Sequence, residues 1–316
     1  MVKVIVGLMG SSVSGGSTRL ATPEQLQFFL NTCKKHDVKE LDTARIYNKG
    51  RSEEMLGSIS SVKDDFAIQT KAPGFMPGSL SYEKVTTACN ASLTALKQDK
   101  LDTYYFHGPD RQTPLQDSCR AINELHQQGK FSRFGVSNFR ADEVEEIANL
   151  CKANDWVRPS VYQGCFNPLL RTAEDALFPT LRKHGMVFYA YSPLGGGYFS
   201  RPVGELRSPP AGGRMDQMSV FSTIYVNDLS LGLREMLDTA CKEQGLTVKE
   251  ATLRWLMYHS ALGDEDGVIL GGSTVEQMEE NLVATENGPL PESVVEAFET
   301  LWIRYRDAGK APAYCV

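Results

Sequence analysis

The feature that most limits the fold of this chain is a repeated alternation of short apolar runs with longer amphipathic segments. Two short runs separated by a helix-like segment must lie parallel, because the helix carries the chain back to the end of the sheet from which it started. The apolar runs span residues 3–8, 40–42, 66–70, 101–106, 134–136, 161–163, 186–191 and 267–270. The amphipathic segments span residues 22–35, 52–59, 81–96, 114–128, 142–154, 174–184 and 233–243. This order predicts an α/β protein with a parallel sheet.

The number of apolar runs favours a sheet that closes on itself over an open sheet. An open, doubly wound sheet that binds a dinucleotide usually carries a G-x-G-x-x-G turn after its first strand, whereas here that strand continues into GLMGSSVSGG. A chain of 316 residues also has the length that one closed barrel uses. We therefore expect residues 1–316 to form a single (β/α)8 TIM barrel, with its active site at the carboxyl ends of the strands.

Composition excludes several classes of partner. The net charge of -6 speaks against a surface that binds nucleic acid or an anionic membrane. No apolar run reaches the roughly 18 residues of a membrane span, and the amino terminus becomes polar too early for a signal peptide. The seven cysteines are scattered and form no C-x-x-C pair, so neither a zinc site nor a disulfide framework is indicated. We expect a cytoplasmic protein without a bound metal.

Two segments depart from the repeat. Residues 195–232 are rich in glycine and proline and follow the seventh run, which indicates an active-site loop rather than a linker. The chain ends in a helix-like segment at 292–305 and a tail at 306–316, and this tail can fold over a barrel mouth.

Polar side chains that suit carbonyl reduction follow three consecutive runs: Asp42 and Tyr47 follow the second, Lys71 the third and His107 the fourth. Reduction needs a proton on the carbonyl oxygen, and a tyrosine can donate it once a nearby lysine cation lowers the pKa of its hydroxyl. A carboxylate keeps the lysine charged and in place, and a histidine can orient the substrate oxygen. Each residue has an ordinary alternative when taken alone, namely a helix cap, core packing, a solvated charge or a turn. Their joint placement favours the catalytic interpretation.

The sequence around these residues resembles the motifs of the aldo-keto reductase superfamily. The stretch LDTARIYNKGRSE at 41–53 resembles its signature, QTK at 69–71 and YFHGPD at 105–110 resemble its lysine and histidine motifs, and GVSNF at 135–139 resembles its GVSN motif. The resemblance covers nearly the whole chain and is closest to the aflatoxin-aldehyde reductase group. It implies a homodimeric enzyme that reduces aldehydes or dicarbonyls with NADPH and uses the catalytic residues Asp42, Tyr47, Lys71 and His107.

The resemblance also implies where NADPH binds. Ser137, Asn138 and Gln163 would hold the nicotinamide amide, and Tyr191 would stack on the ring. The pyrophosphate segment would include Ser192, Leu194, Gly196, Arg201 and Arg214, and the adenosine segment Gly271, Ser273, Gln277 and Asn281. Many members of the family bind the 2′-phosphate with basic residues that this adenosine segment lacks. A preference for NADPH would therefore depend on Ser273, Thr274, Gln277 or an arginine elsewhere.

The substrate is expected to be a small carbonyl compound that contacts Met9, Tyr47, His107 and Tyr225. Relatives in the resembled group end in an arginine that can engage an acidic substrate, whereas this chain ends in Val316, which favours a neutral or aromatic substrate. The alternative to an enzyme is a nucleotide-sensing regulatory subunit that resembles channel β-subunits of the same fold. Such a subunit is expected to carry a long amino-terminal extension, and here Met1 lies just before the first strand.

Overall fold

A computed structural model of the chain describes residues 2–9, 20–208 and 219–315, without the side chains of residues 219–221. Each of the eight strands within these ranges pairs in parallel with the next, and the last pairs with the first, so the sheet closes into a barrel. The predicted (β/α)8 barrel is confirmed. The strands are β1 (Lys3–Gly7), β2 (Glu40–Asp42), β3 (Ala67–Ala72), β4 (Leu101–Phe106), β5 (Phe131–Ser137), β6 (Pro159–Cys165), β7 (Val187–Tyr191) and β8 (Gly267–Gly271).

Helices connect the strands, and the first of them shows how the sequence sets their ends. Thr22 accepts a hydrogen bond from the Gln25 amide at 3.3 Å, and the Gln25 side chain accepts one from the Thr22 amide at 3.2 Å. Within the described ranges, none of the helices is both long and apolar enough to cross a membrane. The helices are α1 (Pro23–Lys35), α2 (Arg51–Ser58), α3 (Val62–Asp65), α4 (Tyr82–Leu96), α5 (Leu115–Gln127), α6 (Ala141–Ala153), α7 (Ala173–Ala176), α8 (Phe178–Lys183), α9 (Val203–Leu206), α10 (Ser219–Tyr225), α11 (Asp228–Glu243), α12 (Val248–Tyr258), α13 (Val275–Glu286) and α14 (Glu292–Asp307).

Several helices after β7 differ from the sequence prediction. The helix predicted at 233–243 begins earlier, at Asp228, because Asn227 caps it. The Asn227 side chain accepts from the Ser230 amide, and the Ser230 hydroxyl accepts from the Asn227 amide, each at 3.0 Å. Helix α12 lies in a stretch for which the sequence predicts no helix, and its Trp255 is fully buried. The predicted loop at 195–232 therefore contains α9, α10 and the start of α11.

Alternate strand residues point into the barrel and fill it in layers. Toward the amino ends of the strands, the Arg133 guanidinium donates to the Tyr189 hydroxyl at 3.0 Å and to the Glu40 carboxylate at 3.1 Å, and it also pairs with Asp102. This network fills the amino end of the barrel, which leaves the carboxyl ends of the strands for a binding site. The middle layer is formed by Ile5, Tyr105, Val161, Tyr189 and Ile269.

The register of β5 and β6 places two of the predicted cofactor residues side by side. The register shifts between Phe134 and Gly135, and beyond the shift Ser137 pairs with Gln163. Glycine is needed at position 135, because a Cβ atom there would lie 2.3 Å from the ring of Tyr105. The missing side chain makes room for the middle layer, while the end of β5 presents Ser137 at the barrel mouth.

Candidate active site

A buried ion pair lies at the carboxyl ends of β2 and β3. The Lys71 ammonium donates hydrogen bonds to both carboxylate oxygens of Asp42, at 2.7 and 2.8 Å, and to the carbonyl oxygen of Thr43 at 2.8 Å. The Lys71 and Asp42 side chains are 0% and 4% exposed. Gln163 donates a further hydrogen bond to Asp42 at 2.8 Å. Two charges can be buried here because each is paired and hydrogen-bonded.

Lys71 remains charged although its side chain is buried. Burial is the largest influence on this group, and burial alone would lower the pKa of Lys71. The attraction of Asp42 and Tyr47, together with the hydrogen bonds to both, outweighs burial, so the pKa of Lys71 is raised above its ordinary value. Lys71 is therefore a stable cation at neutral pH.

Tyr47 lies beside this cation. Its hydroxyl accepts a hydrogen bond from the Lys71 ammonium at 3.3 Å, and the ammonium lies 5.0 Å from the centre of the Tyr47 ring. Tyr47 opens a 3-10 turn in which Asn48, Lys49 and Gly50 have φ angles of 50°, 56° and 93°. This left-handed conformation, which Asn and Gly tolerate but Lys adopts rarely, turns the chain sharply between β2 and α2 and brings Tyr47 to the end of β3.

His107 follows β4 and packs against Tyr47. Their ring centres are 5.9 Å apart and their planes are nearly perpendicular, at 77°. The ring of Phe75, from the loop after β3, packs on His107 at 5.8 Å. Burial, and then the charge of Lys71, lowers the pKa of His107 from 6.5 to about 3. The imidazole is therefore neutral at physiological pH and carries one N–H that it can donate.

A second polar group lies at the ends of β5 and β7. Asn138 has a φ of 65°, and its side chain donates to the carbonyl oxygen of His107 at 3.0 Å and to the Ser137 hydroxyl at 2.9 Å. The Tyr191 hydroxyl donates to the side-chain oxygen of Asn138 at 2.7 Å. The structure thus brings Ser137, Asn138 and Tyr191 together, and Gln163 lies next to Ser137 in the sheet.

The segment after β7 folds back onto the protein. Ser192 and Gly196 have φ angles of 55° and 66°, and Leu194 packs against the hydrophobic core. The Asn167 side chain donates to the Ser192 carbonyl oxygen at 3.2 Å and to the Tyr225 hydroxyl at 2.8 Å. Asn167 and Tyr225 are both fully buried. Tyr225, which the sequence assigns to the substrate, therefore contacts the residue that holds this segment.

The remaining residues predicted for the substrate and the pyrophosphate lie on separate loops. Met9 lies just beyond β1 and is exposed. Arg201 is half-buried and forms an ion pair with Glu205 at 3.4 Å. Arg214 and Val316 lie outside the described residues.

The residues predicted for adenosine lie at the end of β8 and in the first turns of α13. Thr274 caps this helix by accepting from the Gln277 amide at 3.1 Å, and the Gln277 side chain accepts from the Ser273 amide at 3.0 Å. The Asn281 side chain donates to the Gly271 carbonyl oxygen at 3.1 Å. Asn281 is 4% exposed, and its side-chain oxygen accepts no hydrogen bond from the described residues. A buried acceptor without a donor is costly, so this oxygen is suited to a ligand that donates an N–H.

The sequence matches a known protein family over nearly its whole length. The family model described as the aldo/keto reductase family matches residues 3–303. The chain belongs to the aldo/keto reductase family. It is therefore an oxidoreductase, of a family that reduces carbonyl compounds and generally uses a nicotinamide cofactor.

This aldo-keto reductase is similar to curated proteins over most of its length. An aldo-keto reductase of Pseudocercospora fijiensis is 39% identical over 283 residues, which cover 86% of this chain and 96% of that protein. The oxidoreductase sirO of Leptosphaeria maculans is 38% identical over 299 residues, which cover 93% of this chain and 89% of that protein. Aflatoxin B1 aldehyde reductase member 4 of Homo sapiens is 38% identical over 295 residues, which cover 88% of each chain. The predicted membership of this superfamily is confirmed.

Phe75 packs on the candidate active site, and sequence reasoning misses it. Its ring reaches His107 because Gly108 has no side chain: a Cβ atom there would lie 2.3 Å from the Phe75 ring. A Cβ atom on Gly74 would likewise lie 2.5 Å from the backbone nitrogen of Gly108. The two glycines, which let two loops approach closely, are the signal that the sequence offers for this contact.

Glu53 and Asn167 are buried polar residues that sequence reasoning also misses. Glu53 lies within the signature stretch, which is its available signal, whereas nothing near Asn167 in the sequence marks it. Among the described residues, no cluster of three or more histidine, cysteine, aspartate or glutamate side chains has the arrangement of a metal site.

Proposed function

We propose that this aldo-keto reductase reduces an aldehyde or a ketone to the alcohol with NADPH, and that Tyr47 donates the proton. The observation that carries the proposal is the contact between the Tyr47 hydroxyl and the buried Lys71 ammonium, 3.3 Å away. A cation beside a phenol favours the phenolate that remains after the proton has left, and Asp42 keeps that cation in place. The Lys71 ammonium therefore favours the loss of a proton from Tyr47.

His107 is proposed to orient the substrate. A neutral imidazole can donate its N–H to the carbonyl oxygen, and this role is supported by the packing of the His107 ring against the ring of Tyr47, with the ring centres 5.9 Å apart. When bound, the reduced nicotinamide supplies the hydride to the carbonyl carbon. The proton of Tyr47 passes to the carbonyl oxygen, so carbon and oxygen each gain one hydrogen and the alcohol is complete.

The residues present fit a nicotinamide dinucleotide. Asn281 offers a buried acceptor without a donor among the described residues, and a Cβ atom on Gly271 would meet nothing within 4 Å, so the backbone there is open to a ligand. We propose that Gly271, Ser273, Gln277 and Asn281 hold the adenosine part, and that Ser192, Leu194, Gly196, Arg201 and Arg214 hold the pyrophosphate. Ser137, Asn138 and Gln163 would bind the nicotinamide amide, with Tyr191 against its ring.

We propose that the substrate is an uncharged carbonyl compound with an apolar group. The loops after β1, β2 and β3, which follow neighbouring strands at the same end of the barrel as Tyr47, expose large apolar side chains, and packing a substrate on them removes apolar surface from water. The name of the human relative, aflatoxin B1 aldehyde reductase, agrees with an aldehyde substrate for that protein. The exposed apolar residues are Met9, Ile46, Phe75 and Met76.

We further propose that residues 1–316 form one domain, that the protein is a cytoplasmic homodimer, and that it binds neither nucleic acid nor membranes. The resemblance to the aflatoxin-aldehyde reductase group supports the dimer, and seven cysteines without a disulfide among them support a reducing compartment. The net charge of -6 supports the absence of an anionic partner. A native mass equal to that of one chain would contradict the dimer.

The proposal is tested by the oxidation of NADPH with nitrobenzaldehyde, with NADH measured in parallel. The Tyr47→Phe variant should bind NADPH normally and lose about 100-fold or more of kcat. The Tyr104→Phe variant is the matched control, because it loses a buried hydroxyl that donates to the carbonyl oxygen of Val85 in α4, at 3.0 Å. Full turnover in Tyr47→Phe would refute the proton-donor role. Binding of NADPH without turnover of any aldehyde, diketone or sugar would favour the nucleotide-sensing alternative.

A further inference from the structure

The loop that carries Tyr47 adopts a left-handed backbone conformation that other contacts must stabilise. Asn48, Lys49 and Gly50 all have positive φ angles, and Asn and Lys occupy the left-handed region only at a cost in free energy. Such a turn persists where surrounding contacts fix it. The position of Tyr47 therefore depends on the groups that anchor the two ends of this loop.

The anchoring contacts converge on Glu53, in the first turn of α2. The Glu53 side chain is 0% exposed. One of its carboxylate oxygens accepts a hydrogen bond from the Thr70 hydroxyl at 2.7 Å, and the other accepts one from the Arg45 guanidinium at 3.0 Å. Arg45 also donates to the carbonyl oxygen of Gly50 at 3.3 Å. One carboxylate thus joins the start of the loop, the end of the loop and β3.

We propose that Glu53 is a positioning residue that sets the distance between the Tyr47 hydroxyl and the Lys71 ammonium. Thr70 directly precedes Lys71 in β3, and Arg45 shortly precedes Tyr47 in the loop. The carboxylate of Glu53 therefore links the two sides of the contact without touching either reacting group.

The contact between Tyr47 and Lys71 is the one that a loose loop changes first. Asp42 and Thr43 accept three hydrogen bonds from the Lys71 ammonium at 2.7 to 2.8 Å, so Lys71 stays in place when the loop moves. The hydrogen bond to Tyr47, at 3.3 Å, is the longest of the four. Loosening the loop should therefore move the phenol away from the cation rather than move the cation.

Titratable groups on several elements face Tyr47 and Glu53. Around Tyr47 they are Asp42, Lys71, His107 and Tyr191, and around Glu53 they are Arg45, Cys89 and Tyr104. Of the first set, Lys71 has the charge that favours a phenolate, so the pH at which Tyr47 ionises reports its distance from Lys71.

The role of Glu53 rests on the proposed function of Tyr47, but it can be tested without turnover. The ionisation of Tyr47 in the full chain is measured as the ultraviolet tyrosinate signal that Tyr47→Phe lacks. In Thr70→Val, which keeps the shape of the side chain and removes the hydroxyl that holds Glu53, this ionisation should move to higher pH. The matched control is Thr103→Val in β4, which removes a buried hydroxyl that donates to Asp102 at 2.7 Å, and it should cause no shift.

Kinetics give a second measurement. In Thr70→Val and in Glu53→Gln, kcat should fall about tenfold or more, while the Kd for NADPH should stay within about twofold. If Glu53→Gln does not fold, Thr70→Val decides the question. An unchanged Tyr47 titration in Thr70→Val would overturn the inference, even if kcat fell. Retained turnover in Tyr47→Phe would instead overturn the proton-donor role and leave the titration as the test of positioning.

Discussion

Replacement of Lys71 by methionine tests how much the stability of the protein depends on pairing the buried Asp42 carboxylate. With 2.7 Å between the charged atoms and an effective dielectric constant of about 20, the attraction between Lys71 and Asp42 is about 6 kcal/mol. Much of this offsets the cost of taking both groups out of water. Removing the cation alone leaves the carboxylate 4% exposed, with Gln163 still donating to it at 2.8 Å. We therefore expect Lys71→Met to lose about 3–5 kcal/mol of unfolding free energy.

A double variant and a matched single variant separate the possible causes of that loss. Asp42→Asn combined with Lys71→Met removes both charges, so most of the lost stability should return. Lys34→Met removes an ion pair of the same length, 2.7 Å to Asp65, but with a lysine side chain that is 45% exposed. Its loss should stay below about 1 kcal/mol.

Urea unfolding followed by tryptophan fluorescence measures the stabilities, and initial rates with NADPH measure turnover. Turnover should stay about 100-fold or more below wild type in both Lys71→Met and the double variant, because neither places a cation beside Tyr47. A Lys71→Met protein as stable as wild type would refute the account of the buried carboxylate. A double variant no more stable than Lys71→Met would show that packing, rather than the unpaired charge, causes the loss.

Four further outcomes are expected. Asn281→Ala should weaken NADPH binding about tenfold in a fluorescence titration, because the ligand loses a buried acceptor. Tyr225→Phe should also weaken NADPH binding, since the Tyr225 hydroxyl helps to fix the segment after β7, whereas Tyr104→Phe should leave NADPH binding unchanged. Phe75→Ala should raise the KM for an apolar aldehyde and leave NADPH binding unchanged. The pKa of His107 falls from 6.5 in the unfolded chain to about 3 in the folded protein. The stability that neutral His107 contributes is therefore complete above pH 6.5 and is lost toward pH 3. Urea unfolding between pH 7 and 5 should show a loss of about 2 kcal/mol that His107→Gln lacks.

The placement of three of the four proposed catalytic residues follows from the sequence, because a parallel barrel brings successive strand ends together. Asp42, Lys71 and His107 each lie at or next to the end of a strand, so recognising the strands is enough to bring these side chains together. Tyr47 is different, since it lies in a loop and its position depends on a left-handed turn. The Asn-Lys-Gly sequence that follows Tyr47 permits this turn, but the contacts that fix it come from β3 and α2.

Contacts between distant loops do not follow from local sequence patterns. The hydrogen bond between Asn167 and Tyr225 joins residues 58 positions apart. The pattern of apolar residues around either one does not indicate this contact. Nothing in the local sequence indicates that Tyr225 is fully buried. Burial of this kind is decided by how the segment after β7 packs on the barrel, which depends on the shapes of many side chains at once.

The charge of Lys71 has different effects on Tyr47 and His107, the two proposed hydrogen-bond donors to the substrate. The charge of Lys71 favours a phenolate on Tyr47, and, with burial, it keeps His107 neutral down to about pH 3. A neutral imidazole could act as the proton donor only by losing its last proton, which is far harder than ionising a phenol that lies 3.3 Å from an ammonium group. The same electrostatic arrangement therefore supports Tyr47 as the acid and leaves His107 to orient the carbonyl oxygen. Acidification does not exchange these tasks, because protonation of His107 is opposed by the same charge that assists Tyr47.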